Sequence, residues 1–206
     1  MYARSTTVRG DPKMVDDAVA YVRDEVMPAV QTMSGCVGLS MLCDRDSGRC
    51  IVTTAWADES AMHATEEAVR PMRERLADMY GGASEVNEWE IAVLHRTREA
   101  PDGACTRVTW TRGDPGQMER TIDTVRMALL PRLDDIDGFC SVSLMVNRDN
   151  GMCATAATYE SRDAMYRSRE AVSAMRDEFT QQLGAEVTDM AEFDLSLHHL
   201  RVPETV

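Results

Sequence analysis

Apolar residues at Val15, Val19, Val22, Val26, Val30 and Met33 recur every three or four positions, the spacing that puts them on one face of a helix. Before them, Tyr2 to Val8 is short, threonine-rich and β-prone, which predicts a first strand. After them, two β-prone runs, Cys36 to Asp44 and Arg49 to Trp56, flank Arg45-Asp46-Ser47-Gly48 and predict a hairpin. Helical spacing returns past Asp58-Glu59-Ser60 with Met62, Val69, Met72, Leu76 and Met79. Strict alternation from Glu88 to His95 then predicts a closing strand. The order is β-α-β-β-α-β.

The same order follows a second time. Arg9-Gly10-Asp11-Pro12 returns 103 residues later as Arg112-Gly113-Asp114-Pro115. At the same offset Arg4 meets Arg107, Pro28 meets Pro131, Gly35 meets Gly138, and Glu67-Ala68-Val69 meets Glu170-Ala171-Val172. Such register over a whole half identifies an internal duplication. We read 1–97 as the first repeat, 98–103 as a linker holding a Pro and a Gly, and 104–206 as the second repeat. One extra residue enters the second copy before its last strand, Glu192 to His199.

Within each copy, Arg-Gly-Asp-Pro reads as a helix start: Gly permits the turn, Asp caps, and Pro suits the first helical position. Pro28 and Pro131 fall near the end of the first helix, where a missing donor kinks or terminates the regular part. Pro71 stands against Ala174 in the copy and predicts a break or kink in one second helix alone. In the hairpin, Cys43 is expected opposite Cys50 and Val37 opposite Trp56. One hairpin face then carries Val37, Leu39, Met41, Cys43, Cys50, Val52, Thr54 and Trp56. The other carries Ser40, Leu42, Ile51, Thr53 and Ala55, so both faces look covered. The fold expected is α+β: two ferredoxin-like repeats whose antiparallel sheets pack face to face as an intramolecular barrel.

Net charge of −13 disfavours a nucleic-acid or acidic-membrane partner, which would need a basic patch. No apolar run approaches the roughly twenty residues of a membrane span, and Met1 to Gly10 lacks the apolar core of an export signal. Six cysteines without such a signal point to reduced thiols in a cytoplasmic protein. Fifteen methionines suit soft packing around an irregular cavity.

A late-strand aromatic followed by an acidic helix start, Trp56-Ala57-Asp58-Glu59-Ser60-Ala61-Met62, recurs as Tyr159-Glu160-Ser161-Arg162-Asp163-Ala164-Met165. Together with the Pro-to-Gly step before each hairpin (Pro28 to Gly35, Pro131 to Gly138), these stretches resemble the antibiotic biosynthesis monooxygenase family of the dimeric α+β barrel superfamily. The resemblance covers the chain twice. It implies a small-molecule ligand, an intramolecular pseudo-dimer with further self-association open, and in some members oxygenation without a cofactor, where the substrate itself activates oxygen. It also implies a haem-binding or haem-degrading alternative. Haem-degrading members pair the strand tryptophan with an asparagine on the first strand and a histidine early in the second helix. Here those positions fall near Thr6 or Thr109 and near Thr65 or Ser168. His63 lies two residues from the histidine position, a swing of about 200° around a helix.

A pocket that stabilises a substrate anion needs an aromatic wall and a cation or donor. The candidates for wall and polar edge are Trp56 with His63, and Tyr159 with Tyr166. The candidate cations, present in both copies, are Arg23, Arg73, Arg126 and Arg176. Core packing for the aromatics, and surface pairing with acidic neighbours for the arginines, are the competing structural roles. No cofactor and no metal site is expected: His95, His198 and His199 read as strand-end residues, and no Cys-x-x-Cys spacing occurs. A non-catalytic ligand-binding or structural module is the competing class.

Overall fold

The computed structural model describes residues 1–200. Its first copy comprises β1 (Tyr2–Arg9), α1 (Val15–Tyr21), α2 (Met27–Gln31), β2 (Cys36–Asp44), β3 (Arg49–Trp56), α3 (Glu59–Ala64), α4 (Glu66–Tyr80) and β4 (Ser84–Arg96). The second comprises β5 (Cys105–Arg112), α5 (Met118–Thr124), α6 (Leu130–Asp134), β6 (Phe139–Asn147), β7 (Met152–Tyr159), α7 (Arg162–Arg167), α8 (Arg169–Leu183) and β8 (Glu186–Leu200). Hydrogen-bonded strands follow one another in the closed order β1-β3-β2-β8-β5-β7-β6-β4, the strand order of a dimeric α+β barrel carried by one chain. The chain divides into two compact units. The first is Met1–Glu90 with the end of β8 from Phe193; the second is Ile91–Glu192.

The repeated Arg-Gly-Asp-Pro opens a helical run in each unit. Asp11 accepts from the Lys13 amide at 3.0 Å and Asp114 from the Gly116 amide at 2.9 Å, with Pro12 and Pro115 starting a short 3₁₀ turn. The turn also docks on the hairpin tip. Gly113 donates to the Gly151 carbonyl at 3.0 Å, and a Cβ on Gly151 (φ 71°) would collide with the Gly113 carbonyl.

Pro28 and Pro131 do not terminate their helices. Each follows a wide π-helical turn, Val22–Val26 or Val125–Leu129, closed by Met27 donating to Val22 and Leu130 to Val125. A proline has no amide to offer the fourth residue back and its ring would strike that carbonyl; inserting one wide turn shifts the carbonyls and lets the helix continue.

Pro71 does not break α4, which runs as fifteen residues, as α8 does with Ala174. The carbonyl that Pro71 leaves without a donor belongs to Glu67, in the first turn and exposed to water. The interruption falls earlier and in both units, at Thr65 and Ser168. Their hydroxyls take the carbonyls of Met62 and Met165 at 2.8 and 2.9 Å, ending α3 and α7.

Cys43 does lie opposite Cys50, but Trp56 pairs with Cys36 and Ala55 with Gly38, so a bulge at Val37 replaces the expected Val37 pairing. The second hairpin bulges at the same place, at Cys140 between Phe139 and Ser141. One face of the first hairpin joins the unit's core through Leu39, Met41, Cys43, Cys50, Val52 and Trp56. The second unit's core is built around Val142, Leu144, Val146, Tyr159 and the helix residues Ile122, Val125, Leu130 and Leu133.

Candidate functional site

In the second unit a cavity of about 120 Å³ lies between the sheet and the helices, its floor made by β5, β6 and β7. Residues two apart on a strand share a face, so Arg107, Thr109 and Thr111 of β5 form one row. Their partners Ala157, Thr155 and Cys153 on β7 form the next. The walls are apolar: Met118, Val125, Leu129 and Leu133 on one side, Val172, Met175, Phe179 and Leu183 on the other. In the first unit the equivalent space is about 40 Å³ and bounded by Arg4, Thr6, Val52, Thr54 and Arg73 among others.

The difference traces to a few positions. Tyr80, the last residue of α4, is 5% exposed and places its hydroxyl 3.0 Å from the Cys50 sulfur, which is 2.8 Å from that of Cys43. These groups fill the far end of the first unit. Leu183 at the end of α8 is shorter and leaves that end open. Val8, Ala18 and Val52 of the first unit stand where the second has Thr111, Thr121 and Thr155, whereas Thr54 of the first stands where the second has Ala157, so the two linings carry their hydroxyls at different places. Burial pushes the Cys153 thiol up to about 11, which keeps it protonated and unreactive at neutral pH.

The closed end of each cavity carries a buried arginine. Arg107 is 4% exposed; its Nε and Nη2 donate to Glu192 Oε1 at 3.0 and 2.8 Å, and Nη2 also reaches the Met165 carbonyl at 3.3 Å. Its Nη1 has no hydrogen-bond partner among the described residues. Arg4 repeats the arrangement with Glu88 and the Met62 carbonyl. Burial works to raise the Glu192 carboxyl, but hydrogen bonds from Arg107 and Arg169 outweigh it and hold the group below its usual range. Arg176 lines the same cavity, tied through Nε and Nη2 to Asp177.

The profile of the antibiotic biosynthesis monooxygenase family matches residues 1–70, from β1 into α4. Two uncharacterized proteins of Mycobacterium tuberculosis are 47% identical over 206 residues and 50% identical over 209, each covering all of this chain, which spans 92% and 88% of their lengths. Among solved structures, an anthrone oxidase-like protein superposes with a TM-score of 0.68 at 11% identity, covering 99% of this chain and 94% of its own. A heme-degrading enzyme from Listeria monocytogenes gives 0.54 at 9%, covering 95% and 99%. Residues 1–70 of the chain are an antibiotic biosynthesis monooxygenase (ABM) domain.

Of the residues singled out in this ABM protein from sequence, Arg73 and Arg176 line the first and second cavities. Arg73 is clamped by Glu66 at 2.9 and 2.6 Å. Trp56 and Tyr159 are fully buried and line neither cavity. Trp56 donates to Thr54, while Tyr159 packs edge-on against Phe139 and lies under the Arg107 guanidinium, 5.9 Å from ring centre to Cζ. His63 is surface-exposed and bonded to Glu88 at 3.0 Å. Tyr166 is 50% exposed beneath Arg169. Arg23 pairs with its neighbour Asp24, and Arg126 donates to the Ala92 carbonyl at 2.8 Å. His95 bonds Asp134 at 2.7 Å. Among the described residues no three His, Cys, Asp or Glu side chains converge as a metal site would, and no helix is long and apolar enough to cross a membrane.

Sequence reasoning missed Arg107, Thr109 and Thr155. A signal existed: an arginine in mid-strand, repeated at Arg4, is costly to bury unless it is paired. Thr109 was marked only as the position of the family's first-strand asparagine, and Thr155 gave no signal, because its place beside Thr109 depends on the β5–β7 register.

The Arg73–Glu66 pair carries a pH dependence. The hydrogen bond from Arg73, against burial and with help from Arg4, lowers the Glu66 carboxyl from 4.5 to about 2. A carboxylate whose folded value is depressed contributes its stability above its unfolded value and loses it as pH falls through the folded one. Thermal melts are therefore expected to drop between about pH 4.5 and 2, and Glu66→Gln to flatten that drop; an unchanged profile in the variant would remove Glu66 as its cause.

Proposed function

We infer that the second-unit cavity is the ligand site and that the first unit supports it without holding a ligand of its own. The observation that carries this is the contrast at one position: Tyr80 fills its end of the first unit, whereas Leu183 leaves a cavity with apolar walls, threonine hydroxyls and a buried guanidinium at one end. Clefts of this composition suit small, largely apolar molecules oriented by a few polar atoms.

The reaction proposed is cofactor-independent oxygenation of an aromatic or polyketide-like compound. An activated carbon loses a proton to give a resonance-stabilised anion. The anion reduces dioxygen, one oxygen atom enters the product as a carbonyl, and the other leaves as water with the two hydrogens of the original CH₂. Arg107 and Arg176 stabilise the anion electrostatically, and the apolar walls keep bulk water from it. No histidine lines either cavity among the described residues, and His63 is held by Glu88, so the donor set does not suit haem iron. Ligand binding without oxidation is the second reading, favoured because among the described residues no histidine and no unengaged carboxylate lines the Arg107 end to act as base.

Leu183→Tyr reproduces the first unit's arrangement and tests the site. Native mass spectrometry of the purified chain is expected to show a co-purified small molecule that this variant lacks. Equal occupancy in both would place the ligand elsewhere. Oxygen consumption with the recovered compound then separates oxygenase from binding module.

A further inference from the structure

Cys43 and Cys50 face each other across the first hairpin, one rung in from its turn, with their sulfurs 2.8 Å apart. Both are free thiols, and both are fully buried. A disulfide bond is about 2.05 Å long, so less than about 1 Å of movement separates this contact from a bond. The Tyr80 hydroxyl stands 3.0 Å from the Cys50 sulfur.

The duplication supplies a comparison within the chain. Cys153 takes the place of Cys50 in the second unit, but Val146 stands opposite it and Leu183 takes the place of Tyr80. That hairpin keeps the same register and the same bulge, so the fold does not require a thiol pair there. The pair and the tyrosine occur together in one unit and are both replaced in the other.

The two thiols are also unequal. Hydrogen bonding with Cys43, and then with Tyr80, lowers the Cys50 thiol against the effect of burial, while its hydrogen bond to Cys50 and burial raise the Cys43 thiol. Cys50 is therefore the one that loses its proton and attacks. The oxidant has to be small. The exposed turn residues Arg45, Asp46 and Ser47 and the Asp44–Arg49 rung stand at this end of the hairpin, and its local opening admits the oxidant.

We propose that Cys43 and Cys50 are a site of reversible oxidation by hydrogen peroxide, with Cys50 as the attacking thiol, Cys43 as the resolving thiol and Tyr80 as a positioning residue that donates to Cys50. The Cys50 thiolate attacks one peroxide oxygen and the O–O bond breaks. Cys50 becomes a sulfenic acid, and the released hydroxide takes up the proton that Cys50 gave, as water. The Cys43 sulfur then displaces the sulfenic oxygen, which leaves with the Cys43 proton as a second water while the S–S bond forms. Two thiols are oxidised and one peroxide is reduced. A thiol reductant reverses the bond by exchange.

Peptide mapping without reduction tests this on the full folded chain. Trypsin cleaves after Arg45 and Arg49, between the two cysteines, so their peptides separate unless a bond joins them. With hydrogen peroxide the chain is expected to lose about 2 Da and to yield the joined peptide at least about tenfold faster than any other cysteine is modified. A thiol reductant should restore the original mass. In Cys43→Ser no resolving thiol remains, so the chain should instead gain about 16 or 32 Da at Cys50. Tyr80→Phe, which removes the hydroxyl alone, should shift the pH profile of the oxidation rate upward. Peroxide that leaves both thiols free, or that modifies Cys36, Cys105, Cys140 or Cys153 as fast, overturns the site. A mass gain at Cys50 in the parent chain overturns the pairing with Cys43, and an unchanged pH profile in Tyr80→Phe overturns the role of Tyr80.

Discussion

Arg107→Leu is expected to destabilise the protein by about 3 kcal/mol, the size typical of removing one partner from a buried ion pair. Three hydrogen bonds vanish with it, two to Glu192 and one to the Met165 carbonyl where α7 ends. Glu192 is 17% exposed, so its carboxylate keeps Arg169 but cannot rehydrate freely. The equivalent Arg4→Leu should cost less, because Glu88 and Glu66 are 40% and 32% exposed and water can replace the arginine. Urea unfolding of both variants checks the order as well as the size. Equal losses would mean that exposure of the carboxylate does not set the cost.

Tyr80→Leu is expected to cost about 2–3 kcal/mol, combining a smaller core side chain with loss of the polar contact to Cys50. Because Leu183 already occupies this position in the second unit, the variant should fold and enlarge the first-unit cavity from about 40 Å³ toward the 120 Å³ of the second. A crystal structure of the variant under xenon, with density in the first unit, is the direct check. No new density would show that Tyr80 is not what closes the space. The Cys50 thiol should also move upward. In the native arrangement hydrogen bonding with Cys43, and then with Tyr80, lowers it against the effect of burial.

Helix starts, hairpins and the doubled β-α-β-β-α-β order were legible because they depend on spacing and on Gly, Pro and Asp, whose backbone preferences act locally. Two local expectations about prolines failed for tertiary reasons. Pro28 and Pro131 were absorbed by wide turns within helices packed on a sheet. Pro71 was tolerated where the carbonyl it orphans belongs to an exposed residue in the first turn of the helix. The real interruption, at Thr65 and Ser168, falls where arginines from the first strand of each unit donate to the same carbonyls that these hydroxyls take, 58 residues away in sequence (Arg4 to Met62, Arg107 to Met165).

The candidate site was less legible. Arg176, named because it recurs with Arg73, lines the second-unit cavity, whereas Trp56 and Tyr159, named as walls, are buried away from both cavities, with Tyr159 backing Arg107. A side chain's residue type does not say whether the space beside it is filled. That depends on neighbours brought in from other elements.

The amino-acid sequence by itself determined the duplication, the element order and the helix caps, since each rests on periodicity and backbone preference within a few residues. Only the tertiary structure decided that one copy keeps a space of about 40 Å³ and the other one of about 120 Å³. Cavity volume is set by side chains from β5, β7, α5 and α8 meeting in one place, and a single change, tyrosine to leucine at the end of a helix, matters there because of what stands across from it.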